Sequence, residues 1–193
     1  MNKIMLITTG IALSFLTLSC RKEHVSPVNQ LVKDLFCFKE GSEWVYYDSV
    51  SHSTQTMTIT NYEATRLAGK TISKTYDWAE LIIMNITIEN IAQSLYSIIE
   101  TELFSDEDKD NTLAHGRICS PAITTLFLRC NEKNNFTPTA TYLNSFTVNE
   151  TVYHDVYMFN IDDIKYYIAK HIGFIRCVGH KYDWVLIDKN IQQ

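Results

Sequence analysis

Proline and glycine are scarce in this chain, at three and six residues of 193. That scarcity excludes collagen-like and low-complexity classes for nearly its whole length. Basic clusters are also missing: the 17 Lys and Arg are scattered, and the formal charge is −5. Without an electropositive stripe there is nothing to neutralise phosphates, so nucleic acid is not an expected partner. No Gly-x-Ser-x-Gly elbow, phosphate loop, dinucleotide fingerprint or His-Glu-x-x-His pair occurs, and no cofactor is expected.

Only one long apolar run exists, Ile4 to Leu18, behind the single positive charge of Lys3. At 15 residues it is short of the roughly 20 needed to span a bilayer, and Thr8, Thr9 and Gly10 interrupt it. It ends in Leu16-Thr17-Leu18-Ser19-Cys20, which reads as a lipobox: a small residue directly before a cysteine. The expectation is diacylation of the Cys20 thiol, cleavage after Ser19 and acylation of the new amino terminus. Three acyl chains, at about 0.8 kcal/mol per buried methylene, make such an anchor effectively permanent. Residues 1–19 are then a signal peptide and residues 20–34 a lipidated tether. Residues 35–193 form one domain, long enough to bury a core.

Cysteines are few, and Cys20 is taken by the anchor. Cys37, Cys119, Cys130 and Cys177 remain, an even number that permits two disulfides with three connectivities. Cys119 with Cys130 is the local candidate.

From residue 35 onward the texture is short runs of Tyr, Thr, Val, Ile and Trp, which suit a pleated, half-buried surface. Strands are expected over 43–50, 55–67, 71–88, 123–129, 142–148, 152–160, 164–169, 174–178 and 182–187. Polar connections of hairpin length separate several of them, notably Ser51–Thr54 and Asn149-Glu150. In the second run Met57, Ile59 and Asn61 are read onto one face and Thr56, Thr58 and Thr60 onto the other. Segment 91–103 is the exception. Ile91, Leu95, Ile98, Ile99 and Leu103 sit at helical spacing, and a helix is expected there although Glu100 and Glu102 oppose its dipole. The predicted fold is therefore mainly β, a hairpin-built antiparallel curved sheet or half-barrel with one or two helices.

Candidate chemistry is thin. Asp106, Asp108 and Asp110 have the alternate spacing that directs carboxylates at Ca²⁺, but Asn111 stands where a loop of that kind needs Gly and Arg117 where it needs a bidentate Glu. A solvated acidic loop is the better account. Cys177 with His180, and His115 with Cys119, offer two zinc ligands each and so no complete site. Asp48-Ser49-Val50 resembles the Asp-Ser/Thr-aliphatic sequon of envelope glycoproteins and makes Ser49 a candidate for O-glycosylation. The 3 Trp, 11 Tyr and 9 Phe are expected mostly in core and cross-strand pairs, with some in a groove for a glycan, lipid or peptide.

Two blocks carry a family resemblance. One is Phe38-Lys39-Glu40-Gly41-Ser42-Glu43-Trp44-Val45-Tyr46. The other is Phe146-Thr147-Val148-Asn149-Glu150-Thr151-Val152-Tyr153-His154-Asp155-Val156, followed by Tyr166 to Ile175 and by Trp184-Val185-Leu186. They resemble a loosely defined group of small lipoproteins from Gram-negative anaerobes, from which the chain departs where relatives have Gly, at Glu150 and His171. The resemblance implies an antiparallel β domain on a lipid anchor in the outer membrane and no catalytic residues. Cys20-Arg21-Lys22-Glu23 also resembles post-cysteine signals for the cell surface. The expected role is non-enzymatic binding or envelope assembly. A glycan-directed hydrolase and a purely structural component are the alternatives.

Overall fold

A computed structural model describes residues 25–68, 78–89, 95–103, 112–122, 125–131 and 133–192. They form one curved, mainly antiparallel sheet with a single helix on it. Strand β1 (Val25–Ser26) and helix α1 (Gln30–Phe36) come first. A meander follows: β2 (Glu43–Asp48), β3 (Ser53–Ala68), β4 (Trp78–Ile88), β5 (Leu95–Leu103), β6 (Thr112–Cys119), β7 (Thr125–Cys130) and β8 (Phe136–Thr137). A second meander runs through β9 (Ala140–Val148), β10 (Thr151–Ile161), β11 (Ile164–Ala169), β12 (Gly173–Gly179) and β13 (Tyr182–Asn190).

The two meanders join where the last strand meets the first of the sheet. β13 pairs with β2, with Trp184 opposite Asp48 and Lys189 opposite Trp44. The strand order is therefore β8-β7-β6-β5-β4-β3-β2-β13-β12-β11-β10-β9, with β1 parallel to the start of β4. The edges β8 and β9 are not paired with each other, which makes the sheet a half-barrel. They do approach: Phe136 of β8 meets Phe159 and Tyr157 of β10 edge-on, with centroids 5.2 and 5.9 Å apart.

Period-two patterning explains most strands. In β2, Trp44, Tyr46 and Asp48 are buried while Glu43, Val45 and Tyr47 are half-exposed. Gly41 precedes that strand at φ +85, a backbone that L side chains rarely adopt. Two hairpins close on two residues with positive φ at both, Asn149-Glu150 (44° and 66°) and Asp162-Asp163 (50° and 63°). That is the signature of the type I′ turn, whose twist matches the strands it joins. Asn and Asp tolerate the left-handed region and Glu does not, so Glu150→Gly is expected to stabilise the protein by about 1 kcal/mol. Urea unfolding of the two forms checks this.

Three expectations are corrected. Segment 91–103 is strand where it is described: β5 lies between β4 and β6, with Ile82 opposite Ile99, Met84 opposite Ser97 and Ile98 opposite Arg117. The edges of β4 and β6 both need partners for their backbone groups, and that long-range demand outweighs the local helical spacing. In β3 a bulge at Thr60 shifts the register between Ile59 and Asn61. Ile59 and Ile86 are buried opposite one another, whereas Asn61 and Asn85 are both exposed, so Asn61 does not share the face of Met57 and Ile59. Finally, the domain begins earlier than residue 35. Val28, Val32, Leu35 and Phe36 join the core, so much of the expected tether belongs to the fold.

Helix α1 caps one side of the interior. Asn29 is its N-cap: its side-chain oxygen accepts from Leu31 N (2.8 Å), and its amide donates to Asn131 O (3.2 Å) and Asn134 Oδ1 (3.1 Å) in the β7–β8 loop. Its apolar side rests on the sheet through Phe36, whose ring lies 6.3 Å from that of Phe174.

Candidate functional site

The polar side of α1 builds a cleft. Gln30, Lys33, Asp34 and Cys37 recur at three- and four-residue spacing and so share one side of the helix and its end. Phe38 and Lys39 continue the wall, Tyr62 reaches in from β3, and His171 comes from the β11–β12 turn. The space they enclose is about 410 Å³.

Each wall is tied to the fold. Lys33 Nζ lies 2.9 and 2.7 Å from the two carboxylate oxygens of Glu80 on β4, and Glu80 Oε2 also accepts from Val28 N at 2.8 Å. Asp34 accepts from Gln30 Nε2 at 2.7 Å and pairs with Lys170 Nζ at 3.1 Å. His171 N donates to Asp34 O at 2.7 Å, and its imidazole Nδ1 sits 3.9 Å from Asp34 Oδ1, too long for a hydrogen bond. The tight β11–β12 turn puts His171 at φ +61 and Gly173 at φ +88. A Cβ on Gly173 would come within 3.2 Å of the Phe38 ring, so glycine is what lets this turn close on the cleft wall.

These contacts fix the charge state. Lys33 with Glu80 and Asp34 with Lys170 cancel in pairs, and Lys39 has no carboxylate partner among the described residues. Burial pushes the Cys37 thiol up to about 12, with Lys33 opposing only in part, so the sulfur is protonated at neutral pH. Burial also raises the Tyr62 hydroxyl, helped by Cys37 and Glu80, and keeps it a donor. The cleft thus offers one surplus cation, an amide, a phenol, a thiol and an imidazole beside an aromatic wall.

The residues singled out in the sequence lie elsewhere. Ser49 is exposed in the β2–β3 turn, but the Asp48 of its sequon is buried and bonded to the turn. The disulfide between Cys119 and Cys130 is a correction. On the β6–β7 ladder Cys119 faces Thr125 and Cys130 faces Ala114. Five ladder steps of about 3.3 Å separate the two cysteines, against a limit of about 7 Å between bridged Cα atoms. Cys37, Cys130 and Cys177 are free thiols. Burial pushes the latter two up to about 12 as well. Cys20 and the acidic trio Asp106, Asp108 and Asp110 lie outside the described residues. Among the described residues no group of three or more His, Cys, Asp or Glu is placed to hold a metal ion.

Aromatic rings mostly fill the interior, with Trp44, Tyr46, Phe159 and Tyr166 buried. Exposed Tyr142 is spoken for: its ring meets that of Tyr157 across the β9–β10 hairpin, and its hydroxyl donates to Asp155 at 2.6 Å. Sequence reasoning missed Lys33, Asp34, Tyr62 and His171. The usable signal was the helical spacing of Gln30, Lys33, Asp34 and Cys37. Comparison with family models, curated proteins and solved structures finds no match for this chain.

Proposed function

We propose that this chain is a lipid-anchored protein of the outer membrane, held by acylated Cys20 and akin to the small lipoproteins its end blocks resemble, and that it binds a small anionic molecule in the α1 cleft. The observation that carries the reading is the surplus charge of Lys39 in a cleft whose other charges are paired. A volume of about 410 Å³ is at the small end of ligand pockets, the size for a sugar acid or an acidic dipeptide. Phe38 supplies an apolar wall, and Gln30 and the Tyr62 hydroxyl supply donors that fix orientation. Binding, and not turnover, is the expected event. The Asp34 carboxylate is engaged by Lys170 and Gln30, and the Cys37 thiol is protonated.

Calorimetric titration of the purified chain with glucuronate and with glucose tests the cleft. Glucuronate is expected to bind, glucose to bind far more weakly, and Lys39→Glu to lower the glucuronate affinity about tenfold. Equal binding of acid and neutral sugar, or none of either sugar or of an acidic dipeptide, rejects the anion site. The anchor is tested separately by detergent phase partitioning of Cys20→Ala, which is expected to move to the aqueous phase. Retention of that variant with the detergent rejects lipidation at Cys20.

A further inference from the structure

We infer that the anion taken by the α1 cleft is the headgroup of an anionic phospholipid in the membrane that holds Cys20; this rests on the anchor and the anion site proposed above. Chain length carries the first step. Val25 follows Cys20 by five residues, and β1 pins it to β4, with Val25 opposite Trp78. Five residues reach at most about 18 Å, whereas a domain of this size is about 40 Å across. Acylated Cys20 therefore holds the side of the domain that carries β1 at the bilayer surface. Trp78 is only partly buried on that side, and an indole suits the headgroup layer. The cleft lies beside the same entry point. Val28 N and Lys33 Nζ both bond one oxygen, Glu80 Oε2, at 2.8 and 2.7 Å, so the chain arriving from the anchor enters the fold next to the cleft wall.

Charge selects among lipids. With a formal charge of −5 the chain has no general attraction to an anionic surface, so recognition comes from the cleft. Lys39, exposed at the cleft wall, matches the single charge of a phosphodiester, and Gln30 and the Tyr62 hydroxyl are donors for its oxygens. A zwitterionic head also brings a cation, which needs a carboxylate. Asp34 and Glu80 are already taken by Lys170 and Lys33. The space of about 410 Å³ accommodates a phosphoglycerol head, and Phe38 gives the first acyl carbons an apolar wall while the rest of the chains stay in the bilayer.

Calorimetric titration of the full lipidated chain in non-ionic detergent tests this. The probes are dihexanoyl-phosphatidylglycerol, dihexanoyl-phosphatidylcholine, glycerophosphoglycerol and glucuronate. The anionic lipid is expected to bind at least tenfold more tightly than the zwitterionic one, and about tenfold more tightly than glycerophosphoglycerol, which has the same head and charge but no acyl carbons for Phe38. Lys39→Glu and Lys39→Gln, at an exposed position outside the core, are each expected to bring the anionic lipid down to the level of the zwitterionic one. Glucuronate binding with no preference for the anionic lipid overturns this inference and leaves the anion site standing, whereas binding of neither overturns both. A preference that survives both Lys39 variants, or glycerophosphoglycerol binding as tightly as the lipid, also overturns the inference.

Discussion

Asp48→Ala is expected to destabilise the fold by about 3 kcal/mol, because it removes a buried carboxylate that is the shared acceptor of four hydrogen bonds. Asp48 ends β2 and is only 3% exposed. Its carboxylate accepts from Val50 N (3.1 Å), Ser51 N (3.2 Å) and Ser51 Oγ (2.6 Å), which shapes the β2–β3 turn. It also accepts from Asp183 N at 2.8 Å, across 135 residues of chain. Ser49 N returns a bond to Asp183 O, and Asp183 grips Arg176 through both carboxylate oxygens, at 2.8 and 2.7 Å. One side chain thus holds the turn of the first meander against the start of β13, the strand that joins the second meander to it. Burial alone would raise the Asp48 carboxyl, but the bonds from Ser51, Asp183 and Val50 outweigh it and hold the group below its ordinary range. A depressed native value means that the stabilisation is fully present above the unfolded value of about 3.9, and is lost as pH falls through the lower native one. Asp48→Asn keeps the shape and removes that titration. Urea unfolding at several pH values should show a gap between wild type and the Asn variant that is level above about pH 5 and narrows below about pH 4.

The same residue shows where sequence reading works and where it stops. An Asp before a polar turn is an Asx-turn signal, and a hairpin here is legible from it, although the connection expected at 51–54 lies at 49–52, with Asp48 opposite Ser53. That Asp48 also accepts from Asp183 is a tertiary fact with no local trace. Strands β9 to β13 were readable within a few residues, because the runs are rich in Tyr, Val, Ile and Phe and the turns at Asn149-Glu150 and Asp162-Asp163 carry Asn or Asp. β5 was not, since an apolar run with four-residue spacing fits both periods and only the unpaired edges of β4 and β6 decide between them. The bulge at Thr60 has no Gly to announce it, and it inverts the face of every later residue in β3, Tyr62 among them.

The cleft was the least legible part, for a similar reason. Its residues come from α1, β3 and the β11–β12 turn, and α1 lies in a stretch whose charges and Pro27 read as a tether. A seven-residue helix is too short to stand by propensity. It forms because Asn29 caps it onto the β7–β8 loop and because Val32, Leu35 and Phe36 find a concave sheet to cover, neither of which a window of sequence can show.

Trp44→Ala should be the most damaging single change, at about 4 kcal/mol, within the range for truncating a fully buried large aromatic. Trp44 is 1% exposed, faces the interior from β2, and meets Phe38 edge-on with ring centroids 5.0 Å apart. Its indole Nε1 donates to Ile172 O at 2.6 Å, in the turn that carries His171 and Gly173. Removing it opens a cavity and orphans a partly buried carbonyl, so transfer, packing and hydrogen-bond losses add. Trp44→Phe keeps much of the ring volume and loses the hydrogen bond, and should cost about 1–2 kcal/mol. For a domain of this size the two should lower the melting temperature by about 12 °C and about 4 °C. The hydrogen bond also gives the Phe variant a second signature. Trp44 is what fixes the turn against Phe38, so loosening it should weaken binding in the α1 cleft more than the modest stability loss implies. Asp48→Asn, whose defect lies at the β2–β3 turn and the start of β13, should lose stability with cleft affinity unchanged. Equal affinities in Trp44→Phe and wild type would show that the Phe38 wall keeps its place without the indole.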